Sequence, residues 1–247
     1  MEQLKNDWHY RTFEELNINK WAEELTRKVY DEWKSKYNDL DSGFKVFYTP
    51  VRQNPEIVIV SYNPGGDEED FIKENRMEFD KRNFSLEKDN FYQRTPEHHF
   101  SEKVIQFFKG NETLLKNSVA FPLIFFRSKK ANKIGSQYAL NKRKEMKKFC
   151  YDKVSEILRI IRPQILLVYG LHTYDTLKKE GIINAKEIEI KRSGRRRIAC
   201  VADWNGVLVF SMLHPTGARI SNKEFDESKK WFFDEVNNHF SSKQKYS

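Results

Sequence analysis

The chain has only two cysteines, Cys150 and Cys200, among 247 residues. Two thiols are too few for a disulfide framework, a four-cysteine zinc site or a four-cysteine iron–sulfur site. Long apolar runs are missing as well. No stretch approaches the roughly 20 residues needed to span a bilayer, and Met1 to Arg11 lacks the apolar segment of a secretory leader. There is no Gly-x-x-x-x-Gly-Lys-[Ser/Thr] phosphate loop and no dense carboxylate metal site, which argues against a nucleotide hydrolase built on those parts. No repeat or low-complexity stretch appears. These absences lead to the expectation of a cytoplasmic protein.

What is abundant is charge. The composition is 38% hydrophobic and 32% charged, with a net charge of +8. That allows a real core beneath a heavily solvated surface. The positive surplus is clustered. Nine Lys or Arg and one acidic residue lie between Arg127 and Lys148. A second cluster is Lys191-Arg192-Ser193-Gly194-Arg195-Arg196-Arg197. Such local density attracts polyanions, nucleic acid first; a solvated cationic surface is the plainer alternative.

Periodicity predicts the elements. Residues 1–40 read as helical, with Ile18, Trp21, Leu25, Val29 and Trp33 on one stripe. Gly43 ends that segment, and Phe44 to Thr49 reads as a short strand. Ile57 to Val60 is unbroken and β-branched, as in a parallel strand buried on both faces. Residues 67–99 read as a long insertion with some helix. A helix follows from Phe100 to near Gly110. Val119 to Phe126 reads as a second strand, where Pro122 points to an edge position or a bulge. Met146 to Ile161 is a helix stopped before Pro163. Ile165 to Tyr169 is a third strand, and Gly170 turns into a helix over Thr173 to Lys179. Ile188 and Ile190 alternate, and Ile198 to Val201 follows the basic tip. Asn205-Gly206 marks a hairpin turn into the last strand, Val207 to Leu213. A helix over Asn222 to Phe240 closes the chain. Alternating buried strands and amphipathic helices predict a three-layer α/β/α sandwich with a short, mainly parallel central sheet. One domain covers 1–247, with 1–50 a helical extension packed on it.

Two strands end alike. Ile57-Val58-Ile59-Val60 runs into Ser61-Tyr62-Asn63-Pro64-Gly65-Gly66, and Val207 to Met212 runs into Leu213-His214-Pro215-Thr216-Gly217. Each delivers a polar side chain, a proline and a glycine at a carboxyl end, where α/β sheets bind ligands.

This pattern resembles the uracil-DNA glycosylase superfamily. Its first motif reads Gly-x-Asn-Pro-Gly in some branches; here Ser61-Tyr62-Asn63-Pro64-Gly65 opens on serine. Its second is His-Pro-Ser followed by a wedge loop; here it is His214-Pro215-Thr216 and then Gly217-Ala218-Arg219. Pro163 to Gly170 resembles the family's third strand and glycine turn. His99-Phe100, with Lys103-Val104-Ile105, resembles the helix after the first motif. The likeness runs in order through roughly 57–240. It implies a monofunctional DNA glycosylase, without metal or cofactor, acting as a monomer on duplex or single-stranded DNA. Its reaction would be hydrolysis of the N-glycosidic bond of a flipped-out uracil-like or C5-modified pyrimidine, in base-excision repair or in defence against modified phage DNA. A non-catalytic nucleic-acid-binding module with the same fold is the alternative.

The resemblance also assigns roles. Asn63 is placed at the attacking water, which an amide can orient but not deprotonate. His214 is placed beside the departing base's oxygen, where a donor can stabilise developing charge. Gly65 stands where the uracil-strict branch carries a tyrosine against C5, so its absence implies room there. Tyr62 is placed with it at the substrate. Asn117 is the candidate base-reading asparagine, two residues before the aligned Val119. Asp67, opening the run Asp67-Glu68-Glu69-Asp70, is a candidate catalytic acid or base, with a helix first turn as the plainer reading. Phe91 is a candidate stacking face. Thr216 and Arg219 belong to the wedge loop that meets DNA as the base leaves the stack, and Arg192, Arg195, Arg196 and Arg197 are expected to grip phosphates.

Overall fold

A computed structural model describes residues 17–73, 86–216 and 220–244 of the chain. Four strands are buried, β6 from its second residue onward: β1 (Ile57–Ser61), β2 (Val119–Pro122), β3 (Ile165–Tyr169) and β6 (Val207–Met212). All four run parallel, and their apolar runs are continuous because both faces are covered. With β4 (Lys186–Ser193) and β5 (Arg196–Trp204) they form one six-stranded sheet in the order β2-β1-β3-β6-β5-β4. The last two pairings, β6 with β5 and β5 with β4, are antiparallel.

Successive strand residues point to opposite faces, so the sheet sorts its own side chains into two cores. Val58, Val60, Leu166, Val168 and Val209 face one way, toward α1 (Ile18–Lys36), α6 (Leu140–Ile161) and α7 (Leu171–Lys179). Ile57, Ile59, Leu167, Tyr169 and Phe210 face the other, toward α4 (His99–Phe108), α5 (Glu112–Lys116) and α8 (Asn222–Gln244). The molecule is therefore a three-layer α/β/α sandwich. The stripe of Trp21, Leu25, Val29 and Trp33 lies in the first core, so α1 shares the core of the sheet. Asn17 starts α1 by accepting from the Lys20 amide at 3.1 Å. The expected helix over 1–16 lies outside the described residues.

Two strand expectations are corrected. Phe44 to Thr49 makes a single bridge, Phe44 to Phe126, rather than a ladder. It still covers the outer edge of β2. The Tyr48 amide donates to Ala120 O and the Ala120 amide donates to Thr49 Oγ1, both at 2.8 Å. The strand expected to reach Phe126 stops at Pro122, which has no N–H for a ladder. Past it, the Leu123 and Ile124 amides still donate to Ser61 O and Tyr62 O, at 2.8 Å each. Of the insertion at 67–99, the short helices α2 (Glu68–Lys73) and α3 (Phe91–Arg94) are described, and 74–85 lie outside the described residues. Asn205 and Gly206 turn with φ of 52° and 82° between β5 and β6, as a two-residue hairpin requires. Among the described residues no helix is long and apolar enough to cross a membrane.

Candidate functional site

The carboxyl ends of β1, β3 and β6 open into one cleft of about 600 Å3, within the range of small-molecule sites. Asn63 and His214 both line it, although they are remote in sequence and their strands are separated by β3.

Asn63 is held by the chain that follows β2. Its Nδ2 donates to Pro64 O at 2.7 Å and to Ser128 O at 2.9 Å. Both partners are carbonyl oxygens, so only the NH2 end of the amide fits there, and Oδ1 is left as the acceptor. The Ser128 amide returns a bond to Pro64 O at 3.1 Å, and buried Arg127 donates from Nη1 to Gly65 O at 2.9 Å. The motif is thus fixed from outside by Arg127 and Ser128. The turn itself makes no demand for asparagine: among the described residues, the non-glycine ones with left-handed backbone are Asn54, Arg162 and Asn205.

His214 packs against α4. Its ring stacks on Phe100 with centroids 4.9 Å apart and planes 17° from parallel. Nδ1 accepts from the Thr216 amide at 3.3 Å and lies 3.2 Å from Thr216 Oγ1. An N–H aimed at Nδ1 assigns the neutral ring's proton to Nε2. Burial lowers the His214 pKa to about 4, so at neutral pH the ring is an uncharged donor. Gly170, at the turn from β3 into α7, has φ of +99°, and a Cβ there would stand 3.0 Å from Thr173 Oγ1 and 3.8 Å from His214 Cβ. Gly170 to Thr173 line the cleft, which brings the electropositive amino end of α7 to its wall.

The remaining expected residues divide. Gly65 lines the cleft with an ordinary backbone, and a Cβ there would meet nothing within 4 Å. Tyr62 and Phe91 line it too, and burial raises the Tyr62 phenol pKa. Phe91 is flanked by Tyr48 at 5.7 Å and His98 at 5.9 Å between ring centroids. Thr216 lines the cleft through its bonds to His214.

Asp67 does not line the cleft. Its Oδ1 accepts from the Glu69 and Asp70 amides at 3.1 and 3.4 Å, and Asp70 Oδ2 accepts from the Asp67 amide at 3.0 Å, a reciprocal cap on α2. Lys129, 2.7 Å away, and these amides hold its carboxyl below the usual range. The expected catalytic carboxylate is therefore corrected to a cap, and Asp70 is the acid that reaches the cleft. Asn117 is corrected as well. It ends α5 just before β2, at the amino end of the sheet and away from the cleft, where its Oδ1 accepts from Arg52 at 3.1 Å.

The basic tip between β4 and β5 stands at the cleft end of the sheet, because Ala199 pairs with Met212 and the Leu213 amide bonds Ile198 O. Its arginines are not equivalent. Arg196 pairs with Glu224 and Arg197 with Asp175, each at 2.6 Å. Arg192 donates from Nη1 to Arg195 O at 3.1 Å, and Arg192 and Arg195 are exposed. Arg196 and Arg197 thus also tie the tip to α8 and α7, while Arg192, Arg195 and Arg196 are all exposed. Arg219 lies outside the described residues.

Sequence reasoning read Arg127 only as the start of a basic cluster, whereas it is buried beneath the Asn63 motif, and it missed Ser128 and His172. All three follow the strands β2 and β3 at their carboxyl ends, and the rule that singled out Asn63 and His214 applies to them equally. Among the described residues no three His, Cys, Asp or Glu are grouped to hold a metal ion. No family model and no curated protein matches the chain, so the family resemblance rests on the motifs and their geometry.

Proposed function

We propose that the protein is a DNA glycosylase of the uracil-DNA glycosylase superfamily, acting in the cytoplasm as a monomer. It removes a uracil-like or C5-modified pyrimidine and leaves an abasic site. One observation carries this reading: an amide locked through its NH2 end and a neutral imidazole, from strands remote in sequence, line the same cleft.

In this reading the base leaves with negative charge building on its oxygen. The His214 Nε2–H stabilises that charge by about 3 kcal/mol. The amino end of α7 adds a favourable potential. Asn63 Oδ1 accepts from the water that attacks the anomeric carbon and aims it, and the proton leaves to solvent because an amide does not take it up. Gly65 leaves space for a substituent. The exposed Arg192 and Arg195 stand on the cleft side to meet phosphates.

The test is mass spectrometry of free bases released from a panel of natural and phage DNAs, together with alkali-labile sites left in the DNA. Release is expected from at least one DNA, with His214→Ala and Asn63→Ala each lowering it about a hundredfold or more. Release that persists unchanged in both variants, or DNA left without alkali-labile sites, sinks the reading.

A further inference from the structure

The cleft has a neighbour. A second cavity of about 670 Å3 lies between α6 and α7. The two share Tyr62 and His172, whose rings lie 5.2 Å apart and form the partition. Tyr151, half-buried on α6, adds a third ring to the second cavity. Four lysines and four carboxylates make up most of the rest, so the charges of its wall cancel. Some are already committed: Lys148 to Asp152 at 3.2 Å, and Asp175 to Arg197 at 2.6 Å.

A wall of balanced charge does not select a polyanion, which collects at surfaces of one sign. What this cavity offers is aromatic rings surrounded by donors and acceptors. Those are the requirements of a neutral, planar ring with a polar edge. A nucleobase has that chemistry, and stacking on aromatic side chains is how single strands are held without regard to sequence.

We propose that the second cavity binds the base adjoining the everted one, so that two successive bases of a single strand occupy two pockets on either side of the Tyr62–His172 partition. The proposal rests on the nucleic-acid reading of the first cleft. It deepens that reading by naming the substrate form. A duplex would have to give up the stacking of two neighbouring bases to fill both pockets, whereas a single strand offers them already unpaired.

The experiment compares two end-labelled chains of five residues by fluorescence anisotropy. One is all thymidine, and the other alternates thymidine with tetrahydrofuran abasic spacers. Both carry the same phosphates, so their electrostatic attraction is equal, but only the first presents two bases side by side. The alternating chain is expected to bind on the order of tenfold more weakly. Tyr151→Leu keeps apolar bulk against the core and removes the ring. It should weaken the all-thymidine chain by a similar factor and leave the alternating chain unchanged, and Tyr151→Phe should restore binding. Equal affinity for the two chains overturns the proposal, as does a Tyr151→Leu loss of the same size on both. Base release is scored separately. Release without any dependence on adjoining bases removes this proposal alone; dependence without release keeps the two-pocket site and removes the glycosylase chemistry.

Discussion

Burial changes the chemistry of His214 within the cleft. A histidine free in water titrates near 6.5, whereas this one is held to about 4 by burial. Its proton is therefore taken up by the unfolded chain before the folded one. Stability from this group is fully present above about pH 6.5, falls as pH drops toward 4, and changes no further below that. The loss is up to about 3 kcal/mol, and urea unfolding at pH 7 and pH 4.5 should show it shrink in His214→Gln. The rate of base release should stay flat in this group from pH 8 to about 5 and change only near 4, which a pH–rate profile reads directly. Gly65 supplies a second prediction. Its backbone is ordinary and its Cβ direction is open, so Gly65→Tyr should fold with an unchanged melting temperature and lose release of C5-substituted bases more than of uracil, scored on paired substrates. Asn63 and His214 were legible as cleft residues because each follows a buried strand with a proline behind it. Asn117 carried the right side chain at the wrong end of its strand, and its position before Val119 already said so.

At the scale of elements, the hairpin tip and the short caps decide which charges remain available. Glu224 accepts from the Ser221 amide at 2.9 Å and from Arg196, which holds its pKa at about 2. The same carboxylate thereby caps α8 and anchors the tip, and it does so down to about pH 3. Removing Arg192 and Arg195 together should leave the melting temperature unchanged and lower the slope of log affinity against log salt by about 1.5, as expected for two lost phosphate contacts. Removing Arg197 should act in the other direction: a stability loss of about 0.5–1 kcal/mol, since Asp175 is half exposed, with little change in the salt slope. Salt titrations and thermal melts on the same variants separate the two. Asp67→Asn should keep the α2 cap, because an asparagine oxygen accepts the same amides, and activity within about twofold shows that the carboxylate was structural. In sequence the tip read as one uniform basic run. Its partners, Asp175 and Glu224, are contributed by helices that no local pattern links to it.

The whole molecule depends on a sheet covered on both sides. In the core against α4 and α8, Phe232 touches Phe107, Phe108, Phe210 and Phe233. Phe232→Ala should cost about 3–5 kcal/mol, measured by denaturant unfolding. The folded fraction should keep its activity per molecule, because the cleft lies beyond the strand ends and this cluster does not line it. The net charge of +8 acts at the same scale. It raises the encounter rate with any polyanion and is screened over about 10 Å at 0.1 M salt, so specificity has to come from the cleft.

The sequence by itself determined the layers, the parallel strands and the two motifs. Those features rest on local patterns: apolar runs that need two covered faces, glycine and asparagine where the backbone turns left, and polar residues placed after strands. Only the tertiary structure decided which side chains meet. Arg127 and Ser128 are brought beneath Asn63, Phe100 beneath His214, and Arg196 and Arg197 onto two separate helices. Partnership of that kind depends on the order and register of the strands, which are set by long-range packing, and no window of neighbouring residues carries that information.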